Sequence, residues 1–293
     1  MRARAVSITL TVGIVLTAAA SWHLFRRQEP SSGKSHNASL RSRGAHNPRP
    51  VAQVSQGDSV PTKPTGRATP DAAMNEADLP VALRDRLDDA SYKPRERDVP
   101  LLTPSAEKIL IEQYQRIPSI TNKVHLACIL ALGGSDATVR ALSHALTNEY
   151  DGRMLAKSEH MAMLGLPVLL GRTAARCDSA LEFLTDASSL EFWRVHCRWR
   201  FEQDRTVALG ILAGSAAMGI GMSGRPEAIA ILRTIRDQEV PSWPPEARGL
   251  IVDAAFRHAM VRQYGPDVFS SGQDTLPLFF RWRATPEAEE WSR

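Results

Sequence analysis

Three glycines, Gly219, Gly221 and Gly224, have the GxGxxG spacing of the fingerprint that binds the pyrophosphate of a dinucleotide. That chemistry needs a β-strand before the glycines and a second strand after them that ends on an acidic residue. The preceding VALGILAGSAAM is typical of a helix, and Val240-Pro241 is too short to be the second strand. We therefore predict that these small residues let two helices pack closely, and no cofactor is predicted.

The histidines form no catalytic or metal-binding motif in the sequence. His160 follows Ser158-Glu159 but lacks the second histidine of HExxH. Neither GxSxG nor GxxxxGK[ST] occurs. No catalytic residue and no metal ligand is predicted, and an enzyme on a helical scaffold with an unidentified active site stays open as an alternative.

The run FWRVHCRWRF, residues 192–201, alternates aromatic and basic side chains. Aromatic rings can stack on a base, a sugar or a peptide while arginines hold phosphate or carboxylate. On a helix, however, Phe192, Val195 and Trp199 would share one side, which favours aromatic side chains in the core and arginines at its rim. If the run binds a partner, the predicted residues are Trp193, Arg194, His196, Arg198, Trp199 and Arg200.

The three cysteines are too few for a disulfide scaffold and lack the CxxC spacing of a zinc site. Cys128 lies in the apolar VHLACILAL and is expected to be a buried thiol. Cys177 and Cys197 lie near the ends of a predicted helix pair, where a disulfide and two free buried thiols are both open. We favour the free thiols, because distance along the sequence does not supply disulfide geometry.

The chain begins with an apolar segment, residues 5–25, that contains no Lys, Arg, Asp or Glu. A helix of that length extends about 30 Å at about 1.5 Å per residue, which is enough to cross a bilayer. Residues 1–25 are therefore predicted to be a transmembrane signal anchor, with Trp22 at the membrane interface. A cleaved secretory signal is the alternative, since Arg2 and Arg4 precede the apolar run.

The charges around this segment argue in opposite directions about its orientation. By the positive-inside rule, the basic residues that follow the segment favour a cytoplasmic domain. A short basic N-terminus before a first apolar segment normally stays in the cytoplasm, which favours export. We predict a single-pass protein of a bacterial inner membrane with its C-terminal domain outside the cytoplasm.

Residues 26–100 are predicted to be a disordered linker, because they are rich in Ser, Pro, Gly and Arg and lack a sustained apolar period. VALRDRLDDA, from residue 81, predicts one short helix within them. Residues 26–70 contain eight basic and two acidic residues, a net charge of +6. We favour a solvated tail over an anionic-polymer-binding segment. Residues 101–293 hold 21 basic and 22 acidic residues, so nucleic acid is not a predicted partner.

Residues 101–293 are predicted to form an all-α domain, because apolar residues recur every three or four positions. Thr103 and Pro104 predict the start of a helix that continues through EKILIEQYQRI. On that helix, Leu110 is expected to face the core and Glu107 to face water. The uncharged run 207–223 is predicted to be a buried central helix, and a second membrane span is the alternative.

The segment LALGGSDATVRALSHAL, residues 130–146, predicts the turn of a helical hairpin. Gly133 or Gly134 would supply the left-handed residue that ends the first helix. Ser135 or Asp136 would then cap the second helix. Such a hairpin leaves apolar outer faces that a neighbouring pair must cover.

Similar turns recur along the chain, and Asp136, Asp178 and Pro226 mark them at spacings of 42 and 48 residues. Both spacings are close to the period of about 40 to 47 residues expected for two-helix repeats. In two of the turns a helix ends in ALG or the turn contains GxPE, and an AxxxLxxxL-like helix follows. The residues with this pattern are Ala131-Leu132-Gly133, Ser135-Asp136, Ala141, Leu142, Leu146, Gly224-Arg225-Pro226-Glu227, Ala230 and Leu232.

On these residues, the region 101–262 resembles the HEAT-repeat superfamily, in particular the short HEAT-like repeats of bacterial proteins. It departs from the pattern where Pro167 interrupts a helix and where EFWRVHCRWRFEQD is inserted. The resemblance implies an α-α superhelix that binds other proteins, and it transfers no catalytic residue. The expected function is a membrane-anchored scaffold or adaptor for protein-protein interaction, and no small-molecule ligand is inferred.

Overall fold

The computed structural model describes residues 79–89, 92–202, 204–270 and 275–291. The predicted anchor at 1–25 and the predicted linker up to residue 78 lie outside these ranges. Within them the regular structure is helical and contains no β-strand. An isolated bridge joins Met154 and Arg200. The all-α prediction is confirmed for this part of the chain.

The α-helices of the described residues, in chain order, are α1 (Val81–Asp88), α2 (Pro104–Arg116), α3 (Ile120–Leu130), α4 (Asp136–Thr147), α5 (Lys157–Ala174), α6 (Asp178–Asp186), α7 (Leu190–His196), α8 (Arg205–Ser223), α9 (Ala228–Gln238), α10 (Pro245–Arg248), α11 (Leu250–Tyr264), α12 (Leu276–Arg283) and α13 (Pro286–Glu290). Short 3₁₀ segments cover Glu96–Leu101, Val240–Ser242 and Pro266–Phe269.

Helix α8 lies at the centre of the described residues. It is apolar on all sides, and nearly every residue from Ala208 to Ser223 is buried. It is long and apolar enough to cross a bilayer, but 83% of its apolar window is buried inside the protein. The prediction of a buried central helix at 207–223 is therefore confirmed.

The helices around α8 contact one another in a regular order. Helix α3 packs on α5, α5 packs extensively on α8, and α8 packs extensively on α11. Helices α4, α6 and α9 each follow one member of this series along the chain, and α6 and α9 also contact α8. The apolar helix α8 is therefore covered by α5, α6, α9 and α11.

Glycines allow α8 to touch its two main neighbours backbone to backbone. A Cβ at Gly171 on α5 would lie 2.1 Å from the carbonyl oxygen of Gly219. A Cβ at Gly221 would lie 2.1 Å from the carbonyl oxygen of Ala254 on α11. Two members of the GxGxxG sequence thus permit close helix packing, as predicted.

Pro167 does not interrupt its helix, which corrects the sequence expectation. Helix α5 is continuous from Lys157 to Ala174, with Pro167 buried inside it. A proline in a helix interior removes one backbone hydrogen bond and normally kinks or breaks the helix. Here the carbonyl oxygen of Pro167 lies against Gly219 of α8. Packing on α8 therefore maintains the helix through the proline.

The turn between α3 and α4 also differs from the predicted one. Neither Gly133 nor Gly134 has a positive φ, and Ala131, the residue after α3, has the right-handed conformation. The position is crowded, because a Cβ at Gly133 would lie 2.5 Å from Oε1 of Glu107 and 2.9 Å from the carbonyl oxygen of Leu130. The glycine therefore admits a side chain from α2 and does not supply a left-handed residue.

Glu107 was expected to face water, but it is 9% exposed. Its Oε1 accepts hydrogen bonds from Ser135 Oγ at 2.6 Å and from Thr138 Oγ1 at 2.5 Å. Buried carboxylates need such partners, because desolvation without them is costly. Ser135 also caps α4 by accepting the Thr138 amide at 3.2 Å, as predicted. Hydrogen bonds from Ser135 and Thr138 to Glu107 thus connect the turn and the start of α4 to α2.

Residues 79–89 and 92–100 are part of the folded region that the structure describes, although the predicted linker extends to residue 100. Leu79 and Leu83 are 3% and 2% exposed, so α1 contributes to the core. The 3₁₀ segment Glu96–Leu101 is held by the buried Asp98, which pairs with Arg86. The last part of the predicted linker therefore belongs to the folded domain, because apolar side chains of this part are buried in the core.

A buried arginine joins this N-terminal part to residues near the other end of the domain. Arg172 on α5 is 6% exposed and donates to Pro94 O at 2.9 Å and to Asp267 Oδ1 at 2.8 Å. The Asp267 carboxylate also accepts the amide of Glu96 at 3.0 Å. Burial lowers the pKa of Arg172, and the charge of Asp267 opposes that effect. Arg172 and Asp267 thus connect the segment around Pro94 and Glu96 and the segment around Asp267 to α5.

Replacing Gly171 should test whether backbone contact between α5 and α8 limits the fold. We expect Gly171→Ala to lower the free energy of unfolding by at least about 1–3 kcal/mol, since the added methyl overlaps a carbonyl oxygen. Urea unfolding followed by circular dichroism measures the change.

Gly165 on the same helix is the matched control, because a Cβ there meets nothing within 4 Å. We expect Gly165→Ala to raise the free energy of unfolding by about 0.5–1 kcal/mol, the usual gain of alanine over glycine in a helix. Similar effects of the two substitutions would contradict the role given to Gly171.

Candidate functional site

The residues predicted to bind a partner are divided between core and surface. Trp193 and Trp199 are buried, with 0% and 1% exposure. The Nε1 group of Trp193 donates to the carbonyl oxygen of Ala187 at 2.5 Å. The other predicted residues are exposed: Arg194, His196, Arg198 and Arg200. The buried tryptophans are therefore unavailable for stacking on a ligand.

The predicted aromatic face of this segment is also corrected. Helix α7 ends at His196, so Trp199 does not share a helix with Val195. Val195 is 60% exposed, and Trp193 fills the core position instead. After α7 the chain is extended, and the Arg200 amide donates to Arg153 O at 2.8 Å. On this short helix, the side chain of Trp193 faces the core and the side chain of Val195 faces solvent.

The exposed arginines of this segment are partly neutralised by neighbours. Arg194 pairs with Glu191 at 3.2 Å, and Arg198 lies 3.7 Å from Asp151. Such exposed pairs contribute little to stability. The segment keeps a basic surface but no exposed aromatic anchor.

A second surface has an unusual charge pattern on α6. Asp178, Glu182 and Asp186 follow one another at intervals of four residues, so their side chains share one helix face. All three are exposed. Like charges at this spacing destabilise a helix by about 0.2–0.5 kcal/mol per pair. Asp178 is the first residue of α6, where a negative charge stabilises a helix, so helix stability leaves only Glu182 and Asp186 unexplained.

The stripe borders an open groove between α6 and α9 that encloses about 600 Å³. We call this surface the acidic groove. Its residues are Asp178, Leu181, Glu182, Thr185, Asp186, Arg225, Glu227 and Ile231. Leu181 is buried and Ile231 is half-buried, so apolar side chains form the floor and charged ones the rim.

Arg225 is the one cation among the residues that line the groove. Its Nη1 lies 2.5 Å from Asp178 Oδ1, and its Nε lies 2.6 Å from Glu227 Oε1. The hydrogen bond with Asp178 is the main cause that raises the pKa of Arg225. Glu182 and Asp186 have no ion pair among the described residues. Four carboxylates thus face one guanidinium, which leaves a net negative charge.

His258 on α11 supports the turn that carries Arg225. It is 8% exposed, and its Nε2 donates to the carbonyl oxygen of Arg225 at 3.1 Å. Burial lowers the pKa of His258, and the charge of Arg262 acts in the same direction, whereas the hydrogen bond to Arg225 and the charge of Glu287 oppose this shift. Folding therefore favours the neutral form of this imidazole.

Polar contacts between successive turns position the helices of the groove. Asp136, the first residue of α4, accepts Ser179 Oγ at 2.7 Å and Cys177 Sγ at 3.4 Å. These bonds lower the pKa of Asp136. Asp178, the first residue of α6, binds Arg225 in the turn before α9. Each of the two marker aspartates thus contacts the next turn along the chain.

The described residues contain no group of three or more His, Cys, Asp or Glu side chains arranged to hold a metal ion. All three cysteines are free, and Cys177 and Cys197 are buried, as the favoured prediction states. Burial raises the pKa of Cys197 to about 12 and that of the half-buried Cys128 to about 11. These two thiols are protonated at neutral pH, which makes them poor nucleophiles.

The acidic groove was missed in the sequence, although one signal for it is present. DSALEFLTD, residues 178–186, places three acidic residues four positions apart on a helix. The apolar floor and the approach of Arg225 require α9, which begins some forty residues after α6 ends. No known protein family, curated protein sequence or solved structure matches this chain. The site is therefore assigned from its geometry.

Reversing the central charge of the stripe should stabilise the protein. In Glu182→Lys, both neighbouring pairs on α6 change from repulsive to attractive, and we expect a gain of about 1 kcal/mol. For a domain of this size, that gain raises Tm by about 2–4 °C. Differential scanning calorimetry measures it, with Glu182→Gln giving about half the effect. A lower Tm for Glu182→Lys would contradict the repulsion.

Lowering the pH should destabilise the fold through the buried His258 and the half-buried His160. Burial lowers the pKa of both His160 and His258 from the ordinary value of 6.5, so below pH 6.5 the unfolded chain binds protons that the folded protein does not. The free energy of unfolding is expected to fall between pH 7.5 and 5.5, by at most about 1.4 kcal/mol per pH unit for each histidine. Urea unfolding at several pH values measures the slope.

His258→Gln should make that slope shallower, because it removes one of the two groups. His144→Gln is the control, since His144 is exposed. An unchanged slope in His258→Gln would show that His258 does not contribute.

Proposed function

We propose that this protein is a membrane-anchored scaffold that binds a basic segment of another protein in the acidic groove. The observation that carries the proposal is a stripe of carboxylates beside an apolar floor on α6. Apolar contact supplies affinity, while complementary charge supplies orientation and speeds association. The combination suits a peptide that has both basic and apolar side chains.

The local cost of the stripe supports a role in binding. Natural sequences break rules of local stability mainly at functional sites. Glu182 and Asp186 repel one another on α6 and have no ion pair among the described residues. A partner that brings two cations would remove this repulsion. Binding of a basic partner in the groove would therefore account for the repulsion between these two carboxylates.

The spacing of the carboxylates indicates the kind of peptide. Residues four apart on a helix are separated by about 6 Å along its axis. A basic helix with Lys or Arg at the same spacing would match Glu182 and Asp186 and place an apolar residue over Leu181. The expected partner segment is an amphipathic basic helix, a known way of filling a groove.

We further propose that the helix pairs α3–α4, α5–α6 and α8–α9 are HEAT-like repeats of an α-α superhelix. The marker spacings, the order of helix contacts and the bonds between successive turns support this interpretation. Arrays of this type commonly present extended binding surfaces along their stacked repeats. The acidic groove lies between the second helices of two successive pairs.

The membrane anchor at residues 1–25 completes the proposal. Its support is the uncharged run 5–25, which is long enough to span a bilayer. An inner-membrane anchor with the domain outside the cytoplasm would present the groove to a partner in that compartment. An anchored domain would meet this partner only in the layer of solution close to the membrane.

Binding of designed peptides should test the groove directly. A fluorescein-labelled amphipathic helix with Lys at every fourth position is expected to bind the purified full chain, with weaker binding at higher salt. Glu182→Lys/Asp186→Lys should weaken binding at least about tenfold, equivalent to about 1.4 kcal/mol. Fluorescence anisotropy measures the affinity, and the same helix with Glu in place of Lys is the negative control.

The exposed basic segment supplies the matched control variant. Arg194→Glu/Arg198→Glu changes two charges outside the groove and should leave the affinity for the basic peptide within about twofold. If this variant weakens binding and the groove variant does not, the acidic groove is not the binding surface.

A further inference from the structure

We propose that a second cavity of this domain binds a small molecule that carries one carboxylate group. The cavity encloses about 320 Å³, which is at the lower end of the range of about 300–1,000 Å³ found for ligand pockets. We call it the arginine cavity. Its residues are Glu96, Ala175, Arg176, Ser223, Gly224, Val261, Arg262 and Pro266. It is separate from the acidic groove, so this inference goes beyond the proposed function.

The carboxyl ends of three helices meet at the arginine cavity. Ala175 follows the last residue of α5, Ser223 is the last residue of α8, and Arg262 lies in the last turn of α11. Gly224 lies close to α11, because a Cβ there would be 2.5 Å from Cγ1 of Val261. The contact between these helix ends places residues of α8 and α11 on the same cavity.

Two guanidinium groups of the cavity share one protein carboxylate. Arg176 forms an ion pair with Glu96, and its Nη1 donates to the carbonyl oxygen of Leu132 at 3.4 Å. Arg262 is exposed and has no ion pair among the described residues. The residues of the cavity therefore carry two positive charges and one negative charge. One bound carboxylate would bring their net charge to zero.

The helix dipole explains only part of this arrangement. A cation in the last turn of a helix is stabilising, which accounts for a positive charge at Arg262. It does not account for a second guanidinium, that of Arg176, on the same cavity, because like charges repel. A bound anion would remove this repulsion.

A carboxylate suits the arginine cavity better than a phosphate does. The planar guanidinium presents N–H donors that match the two oxygens of a carboxylate. Phosphates are commonly held by the free amides of a helix N-terminus, whereas this cavity adjoins helix C-termini, which carry partial negative charge. Glu96 adds a further negative charge. The site therefore favours an anion with a single charge.

The other residues of the cavity indicate an apolar body for the ligand. Val261 is buried and Pro266 is half-buried, so both present apolar surface to the cavity. The hydroxyl of Ser223 already donates to the carbonyl oxygen of Ile220 at 2.6 Å and accepts the amide of Arg225 at 3.3 Å. The expected ligand class is therefore a small aliphatic or aromatic monocarboxylic acid.

Benzoate is the probe that tests the proposal, and benzamide is its neutral control because the two molecules have nearly the same shape. In ligand-observed NMR titrations of the purified full chain, benzoate should bind with a Kd of about 1 mM or lower. Benzamide should bind at least about tenfold more weakly, since it lacks the charge. Equal affinities would overturn the proposal, and so would tighter binding of inorganic phosphate than of benzoate.

Arg262→Gln tests the residue that should hold the carboxylate. It removes no ion pair of the described residues, and it should weaken benzoate binding at least about tenfold. Arg140→Gln is the matched control, because Arg140 is exposed, does not line the cavity and also lacks an ion pair among the described residues. This control, like Glu182→Lys/Asp186→Lys in the acidic groove, should keep the affinity within about twofold. Unchanged affinity in Arg262→Gln would overturn the proposal.

The pKa of His258 provides a second readout close to the cavity. Burial and the charge of Arg262 lower this pKa, whereas the hydrogen bond to Arg225 and the charge of Glu287 raise it. A carboxylate bound to Arg262 would offset the effect of that charge. Saturating benzoate should therefore raise the pKa of His258, as measured by NMR of its imidazole during a pH titration, and benzamide should not. An unchanged or lower pKa with benzoate would place the bound molecule elsewhere and overturn the proposal.

Discussion

Backbone contact between α8 and its two neighbours is the constraint on which the described fold depends. Helix α8 has no polar face, so it must be covered on every side. Gly171 and Gly219 bring α5 close on one side, and Gly221 brings α11 close on the other. Larger side chains at these positions would separate the helices and open voids along the core.

The acidic groove is a consequence of the same packing. Helices α6 and α9 follow α5 and α8 in the chain and both contact α8, which sets them on either side of a gap. Gly224 ends α8 in the left-handed conformation with φ of 61°, and the next residue, Arg225, reaches Asp178 across the turn. The core therefore supplies the apolar floor of the groove and the spacing of its two helices, whereas exposed charges on α6 form its rim.

Local signals predicted several elements because their causes lie within a few residues. Thr103 with Pro104 starts α2, Ser135 caps α4, and the uncharged run at 207–223 forms the buried α8. Helix α7 shows the limit of such signals, because a periodic pattern placed Trp199 on a helix that ends at His196. Periodicity identifies an apolar face only where the helix continues.

The sequence alone determined the helical class, the principal caps and the presence of a basic segment before the domain, since composition and short-range hydrogen bonding suffice for these features. Only the tertiary structure decided that Glu107 is buried and that Pro167 continues a helix. It also decided that Asp178 meets Arg225 across 47 residues. Each of these features depends on a partner from another helix. The reason is physical: a side chain's environment is set by the surfaces that packing brings to it, and those surfaces come from distant parts of the chain.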